Sequence, residues 1–178
     1  MATTLKQVEA TPASYPAVTP FDREGYLDPD VVPDADQVWQ RIEAYTAYRW
    51  TARDVVWTVE GPGEWVPPLG PATISTTELW VDGTGWTSCT LDASPFGGYV
   101  LPGEGPYRVS GSVGGGDLPA AVSEAFKRLY EYTRGINDSF KNETAFTGSD
   151  EGGIVRNWTG KALQLSGAAD LLRPYRRA

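Results

Sequence analysis

Three glutamates, Glu60, Glu64 and Glu78, lie close together in the chain. Paired carboxylates of this kind serve glycoside hydrolysis, one as general acid and one as base or nucleophile. Nothing in their spacing selects a pair, so a cryptic carboxylate hydrolase is a third reading behind the two developed below. A second acidic group, Asp28, Asp30, Asp34 and Asp36, has the opening rhythm of a calcium loop. Its sixth position is Pro33 rather than glycine and its twelfth is Trp39 rather than glutamate, so the loop pattern fails. Those charges read better as the solvated entry to a helix, with Asp34 as its N-cap. "GSVGGGD" at 111–117 precedes a helix as a phosphate loop does, but it lacks the lysine and hydroxyl residue that a P-loop requires. "DGTG" at 82–85 is the turn of a hairpin.

Two absences narrow the chemistry further. The chain has no histidine, which removes Ser-His-Asp and Cys-His catalysis and histidine metal sites. It has one cysteine, Cys89, so an internal disulfide and a Cys-rich zinc site are impossible. Cys89 sits in the patterned segment "TSCTL" and reads as a small buried residue. These absences leave no His- or Cys-based catalytic centre, and no metal or cofactor is expected.

Charge is unevenly placed. Residues 1–155 carry 10 basic and 22 acidic side chains, net −12, and residues 156–178 carry 5 basic and 1 acidic, net +4. So acidic a body repels nucleic acid at long range. The basic end, "SGAADLLRPYRRA", combines Leu171, Leu172, Pro174 and Tyr175 with Arg173, Arg176 and Arg177. Apolar anchors flanked by arginines fit a peptide that docks on another protein, with packing back on its own domain as the plainer alternative.

Seven tryptophans raise a carbohydrate-binding reading, because flat aromatic faces stack on sugars. Trp57 and Tyr107 fall in register with core positions, leaving Trp65, Trp80 and Trp86 free to be exposed. A small β-rich carbohydrate-binding module is therefore the alternative function.

The elements that position these residues follow from periodicity. Residues 1–33 form a proline-rich arm, because each of Pro12, Pro16, Pro20, Pro29 and Pro33 removes a donor and disfavours helix before it. Residues 34–146 form the core. There "DADQVWQRIEAYTAY" has helical spacing at Val38, Ile42 and Tyr45, and "DVVWTVE" alternates as a strand. "TELWVDGTGWTSCTLD" is a hairpin and "YRVSGSV" a further strand. In the long helix that opens at Pro119, Val122, Phe126, Leu129, Tyr130 and Ile136 form the packing stripe, with Phe140 beyond and Gly135 as a place for a bend. Residues 147–178 are a linker and tail, with a short helix around Lys161 to Leu172 stopped by Pro174. The expected class is α+β: an N-terminal helix, a small antiparallel β region, a long helix and an extended C-terminal tail. The first residues lack an apolar core of signal-peptide length, and no run is long enough to span a membrane, so synthesis in the cytoplasm is expected. The sequons at Asn137, Asn142 and Asn157 then carry no glycan.

Taken together, "RIEAYTAYR", "GGDLPAAVSEAFKRLYEY" and "SGAADLLRPYRRA" resemble the adaptor, or head–tail connector, proteins of long-tailed phages and gene transfer agents, over roughly residues 36–178. The resemblance implies a virion protein without enzymatic activity, made in the host cytoplasm and placed in the neck. It implies a dodecameric ring beneath the portal, with the stopper attached below and DNA passing through without sequence-specific binding or a membrane partner. It also implies that Leu171, Leu172, Pro174 and Tyr175 anchor on the portal while Arg173, Arg176 and Arg177 pair with acidic portal groups. The chain departs from the family in two places. The arm replaces a first helix, which leaves it available to wrap a neighbouring subunit, and Ala47-Tyr48 replaces the usual glycine turn after the "YT" pair.

Overall fold

The computed structural model describes residues 2–21, 30–143 and 161–176, and for 138–143 it describes the backbone alone. Two compact units emerge that do not follow chain order. One joins Met1–Ser14 to Ala47–Gly116, and the other joins Tyr15–Thr46 to Asp117–Arg176.

The first unit is built on β2 (Arg53–Glu60). Val55, Trp57 and Val59 alternate inward and are buried, while Asp54 and Glu60 face solvent. Its neighbours are β1 (Thr3–Glu9) and β8 (Tyr107–Val113). Beyond β8 lie β4 (Ala72–Val81) and β5 (Gly85–Ser88), giving an antiparallel sheet ordered β1-β2-β8-β4-β5. A second sheet, β3-β7-β6, uses the short strands β3 (Gly63–Trp65), β6 (Asp92–Ala93) and β7 (Tyr99–Leu101). Trp65 and Leu101 from this smaller sheet join Val55, Trp57, Val59, Tyr107 and Val109 in one apolar core. Trp57 and Trp65 meet edge to face at 5.5 Å between ring centroids.

At the β4–β8 pairing the register shifts between Ile74 and Thr76, leaving Ser75 as an extra residue. Opposite that bulge stands Gly111, where a Cβ would come 2.2 Å from the Thr73 carbonyl oxygen. Only glycine lets the two backbones approach so closely.

β1 is an edge strand with little apolar surface to bury, since Leu5 and Val8 are exposed. Polar side chains hold it instead. The Trp65 indole N–H donates to Thr4 Oγ1 and the Trp57 indole N–H to Gln7 Oε1, both at 2.9 Å. The Glu9 carboxylate receives Arg49 Nη2 at 2.9 Å and Arg53 Nη1 at 3.1 Å. Arg53 is almost fully buried and also reaches the Thr51 carbonyl.

The second unit is helical. The Asp34 carboxylate accepts the Asp36 and Gln37 N–H groups, capping α1 (Ala35–Thr46). The face carrying Val38, Trp39 and Ile42 is buried, and Trp39 stacks on Phe126 of α2 (Ala120–Glu143) at 4.9 Å. On α2, Val122, Phe126, Leu129 and Tyr130 are buried and Ile136 is half-buried. Burial pushes the Tyr130 phenol above its usual range. Gly135 does not interrupt the helix. Tyr15 to Phe21 of the proline-rich arm packs within this unit: Pro16 accepts the Trp39 indole N–H at 3.0 Å, and Lys127 stands 5.6 Å over the Phe21 ring.

Three expectations change. The first element is a strand, β1, so α1 is present where expected but is not N-terminal. The β region is not small, because eight strands in two sheets form most of the first unit. The C-terminal segment is not extended. It forms α3 (Ala162–Leu165) and α4 (Ala168–Leu172), separated by Gly167 at φ 73°, then a single 3₁₀ turn at Arg173–Tyr175. Ala168 and Leu172, one helical turn apart, are fully buried, and α4 packs on α2.

After Thr46 the backbone turns at Ala47 with φ 53°, in the left-handed region that favours glycine. The Ala47→Gly variant removes that strain, offset by glycine's freer unfolded chain, and should be stabilised by about 0.5–1 kcal/mol in urea denaturation. Glu9→Gln leaves two guanidinium groups facing a neutral amide. A loss of about 2 kcal/mol is expected, with faster amide exchange along β1.

Candidate functional site

The described residues hold no group of three or more potential metal-ligating side chains. The three glutamates take separate roles. Glu60 is exposed at the end of β2, Glu64 accepts the Ser94 hydroxyl at 2.7 Å, and Glu78 pairs with Arg108. Of the acidic cluster, Asp34 caps α1, Asp30 and Asp36 are exposed, and Asp28 lies outside the described residues. Cys89 is half-buried beside the sheet core, and its N–H and carbonyl bond Thr77. An open cleft of about 370 Å³ in the helical unit is lined by Asp34, Gln37, Arg41, Thr133 and Asn137. Val38 and Ala44 add apolar surface to the amide, hydroxyl and charged groups of the lining, and among these residues there is no nucleophile–base pair.

The chemistry that faces outward is of two other kinds. In the helical unit it is the C-terminal segment. Leu172 is buried within the unit and Leu171 half-buried, so Leu172 is committed to the chain's own core. Arg173, Pro174 and Arg176 are exposed and Tyr175 half-buried, while Arg177 lies outside the described residues. Arg176 stands 5.4 Å over the Tyr45 ring of α1. The apolar half of the predicted peptide thus fixes its basic half in place.

In the sheet unit it is the β4–β5 hairpin. Of the three tryptophans expected to be exposed, Trp65 is instead buried, with its indole N–H satisfied by Thr4. Its strand is three residues long, too short for alternation to reveal which way the ring points. Trp80 is 42% exposed and Trp86 half-buried, and as a cross-strand pair they meet edge to face at 5.3 Å. Arg108 lies 4.7 Å over the Trp86 ring and donates to Glu78 at 2.6 Å, so one cation satisfies an indole and a carboxylate together. Trp80 has its own carboxylate neighbour, since its indole N–H donates to Asp82 at 3.2 Å.

The hydrogen bond from Arg108 holds the Glu78 carboxyl below the usual glutamate range, against a smaller opposing effect of burial. A lowered folded-state pKa means this pair stabilises the fold above the ordinary carboxylate range. The contribution is lost as pH falls through the lowered value. In a carboxyl NMR titration Glu78 should protonate below the ordinary glutamate range, and Arg108→Gln should return it to that range. Equal titration in both proteins would mean that the pair does not persist in solution.

No family model matches the chain, and no curated protein does. Among solved structures, the chain is similar to one in the "Neck of native GTA particle computed with C12 symmetry". That similarity has 14% sequence identity and a TM-score of 0.47, covering 81% of this chain and 80% of that one.

Proposed function

We propose that this chain is a structural virion protein of the phage neck, an adaptor subunit that assembles as a ring, with twelve copies as the expected number. The ring joins the portal above to the stopper below and lines the channel through which DNA passes. The observation that carries this reading is the fixed basic prong on an acidic chain. Leu172 and Ala168 anchor the C-terminal segment in its own unit, and Arg173, Pro174 and Arg176 project from it. A preformed, charged projection loses little freedom on docking, which favours binding to an acidic protein surface. The net charge of −12 over residues 1–155 suits a channel wall along which DNA slides without sticking. Structural work of this kind needs no catalytic group, and the chain is proposed to be no enzyme.

The carbohydrate-binding alternative keeps Trp80 and Trp86 but loses Trp65 to the core, so its proposed platform shrinks to one hairpin.

Native mass spectrometry of the chain with portal rings from the same genome tests the adaptor reading. Removing the whole C-terminal segment would also remove Leu172 from the helical core, so charge reversal is the cleaner variant. Wild-type chain should load many copies onto one portal ring, and the Arg173→Glu, Arg176→Glu double variant should bind at least roughly tenfold more weakly while keeping its far-ultraviolet spectrum. Free monomers beside intact portal rings would overturn the adaptor reading.

A further inference from the structure

The outer face of the five-stranded sheet carries a row of residues that runs from one open edge to the other. Lys6 of β1 pairs with Thr58, Thr58 with Arg108, Arg108 with Glu78, and Glu78 with Ser88 of β5. Lys6 is thus an exposed cation on the β1 edge, on the same face as the Arg108–Glu78 pair. The hairpin brings an indole and a carboxylate together at two places. Trp86 with Glu78 is filled by Arg108, whereas Trp80 with Asp82 has the same parts, an indole and a carboxylate. Among the described residues no guanidinium or ammonium group stands over the Trp80 ring.

We propose that the Trp80–Asp82 corner at the tip of the β4–β5 hairpin of one copy receives Lys6 from the β1 edge of the next, so that successive copies meet hairpin tip to β1 edge. The inference rests on the ring reading and supplies its subunit contact. Charge complementarity selects the occupant, because Lys6 is cationic and exposed on the β1 edge while Asp82 is anionic and exposed in the hairpin turn. Apolar surface agrees with the charge: Leu5 and Val8 flank Lys6, and Trp80 and Val81 flank the corner, all of them exposed. Under the ring reading this contact between unlike surfaces is heterologous, the kind that propagates head to tail and closes into a ring when its rotation permits.

A charge-swap series measured by native mass spectrometry on portal rings tests the contact. Lys6→Glu and Asp82→Lys should each lower the number of copies assembled per portal ring, with roughly tenfold weaker assembly, and the double variant should recover most of it. Carbodiimide treatment of wild-type rings formed from a mixture of light and ¹⁵N-labelled chains should give a Lys6–Asp82 cross-link between light and heavy copies. Wild-type rings that form normally, with both single variants assembling equally well and no such cross-link, would overturn this contact and leave the ring reading standing. A wild-type chain that never forms rings removes the ring reading, and this contact falls with it. The single variants are checked by circular dichroism. If either fails to fold, the cross-link in wild-type rings decides alone.

Discussion

The sheet unit depends on one carboxylate. Glu9 closes the β1 strand onto Arg49 and Arg53, both largely withdrawn from water, and binds the chain's opening residues to a segment 40 and 44 positions away. Burying charge is costly unless geometry and hydrogen bonding repay it. Here the carboxylate meets Arg49 through two nitrogens and Arg53 through a third, so both of its oxygens are engaged. The need for this clamp follows from composition. β1 carries Lys6, Gln7 and three exposed or partly exposed threonine and valine positions, and it cannot be held by hydrophobic burial as β2 is. Bonds from Trp57 and Trp65 complete the attachment, which makes two core indoles serve packing and edge-fixing together.

The helical unit solves the opposite problem. Its elements have apolar stripes, and the Trp39–Phe126 stack sets how α1 lies on α2. The C-terminal α4, with Ala168 and Leu172 buried, packs on α2 as well. Gly167, in the left-handed region, lets the chain break one short helix and begin the next. Neither α3 nor α4 is long enough to persist alone, so tertiary contact stabilises both.

Legibility in the sequence followed the length of each pattern. α1, α2, β2, β8 and the β4–β5 hairpin each offered a full period or more of alternation, and each formed where that pattern lies. β1 escaped because "TTLKQVE" shows no alternating apolar face; its exposed Leu5 and Val8 obey no strand periodicity. The three-stranded sheet escaped because strands of two or three residues carry no period. Trp65 was misplaced for the same reason. Arg49 and Arg53 gave no local sign of sharing Glu9, since such a contact is written in topology rather than in neighbouring residues. The C-terminal segment was half legible. Leucines near a proline-stopped helix were visible, but burial of Leu172 needed the α2 surface that receives it.

Where the cations stand decides what an acidic chain of this kind does when it meets copies of itself. A net charge of −12 spread over residues 1–155 disfavours random contact at any face. Arg49, Arg53 and Arg108 are already engaged with carboxylates inside the fold, and Arg128 is engaged with Glu124 along α2. The exposed cations that remain stand at two described places, Lys6 on a sheet edge and Lys161, Arg173 and Arg176 in the C-terminal segment. Among the described residues those two places are ones at which an acidic partner is attracted. Among the described residues, localised cations of this kind favour directional association over clustering, because each attracts a partner at one place on an otherwise acidic surface.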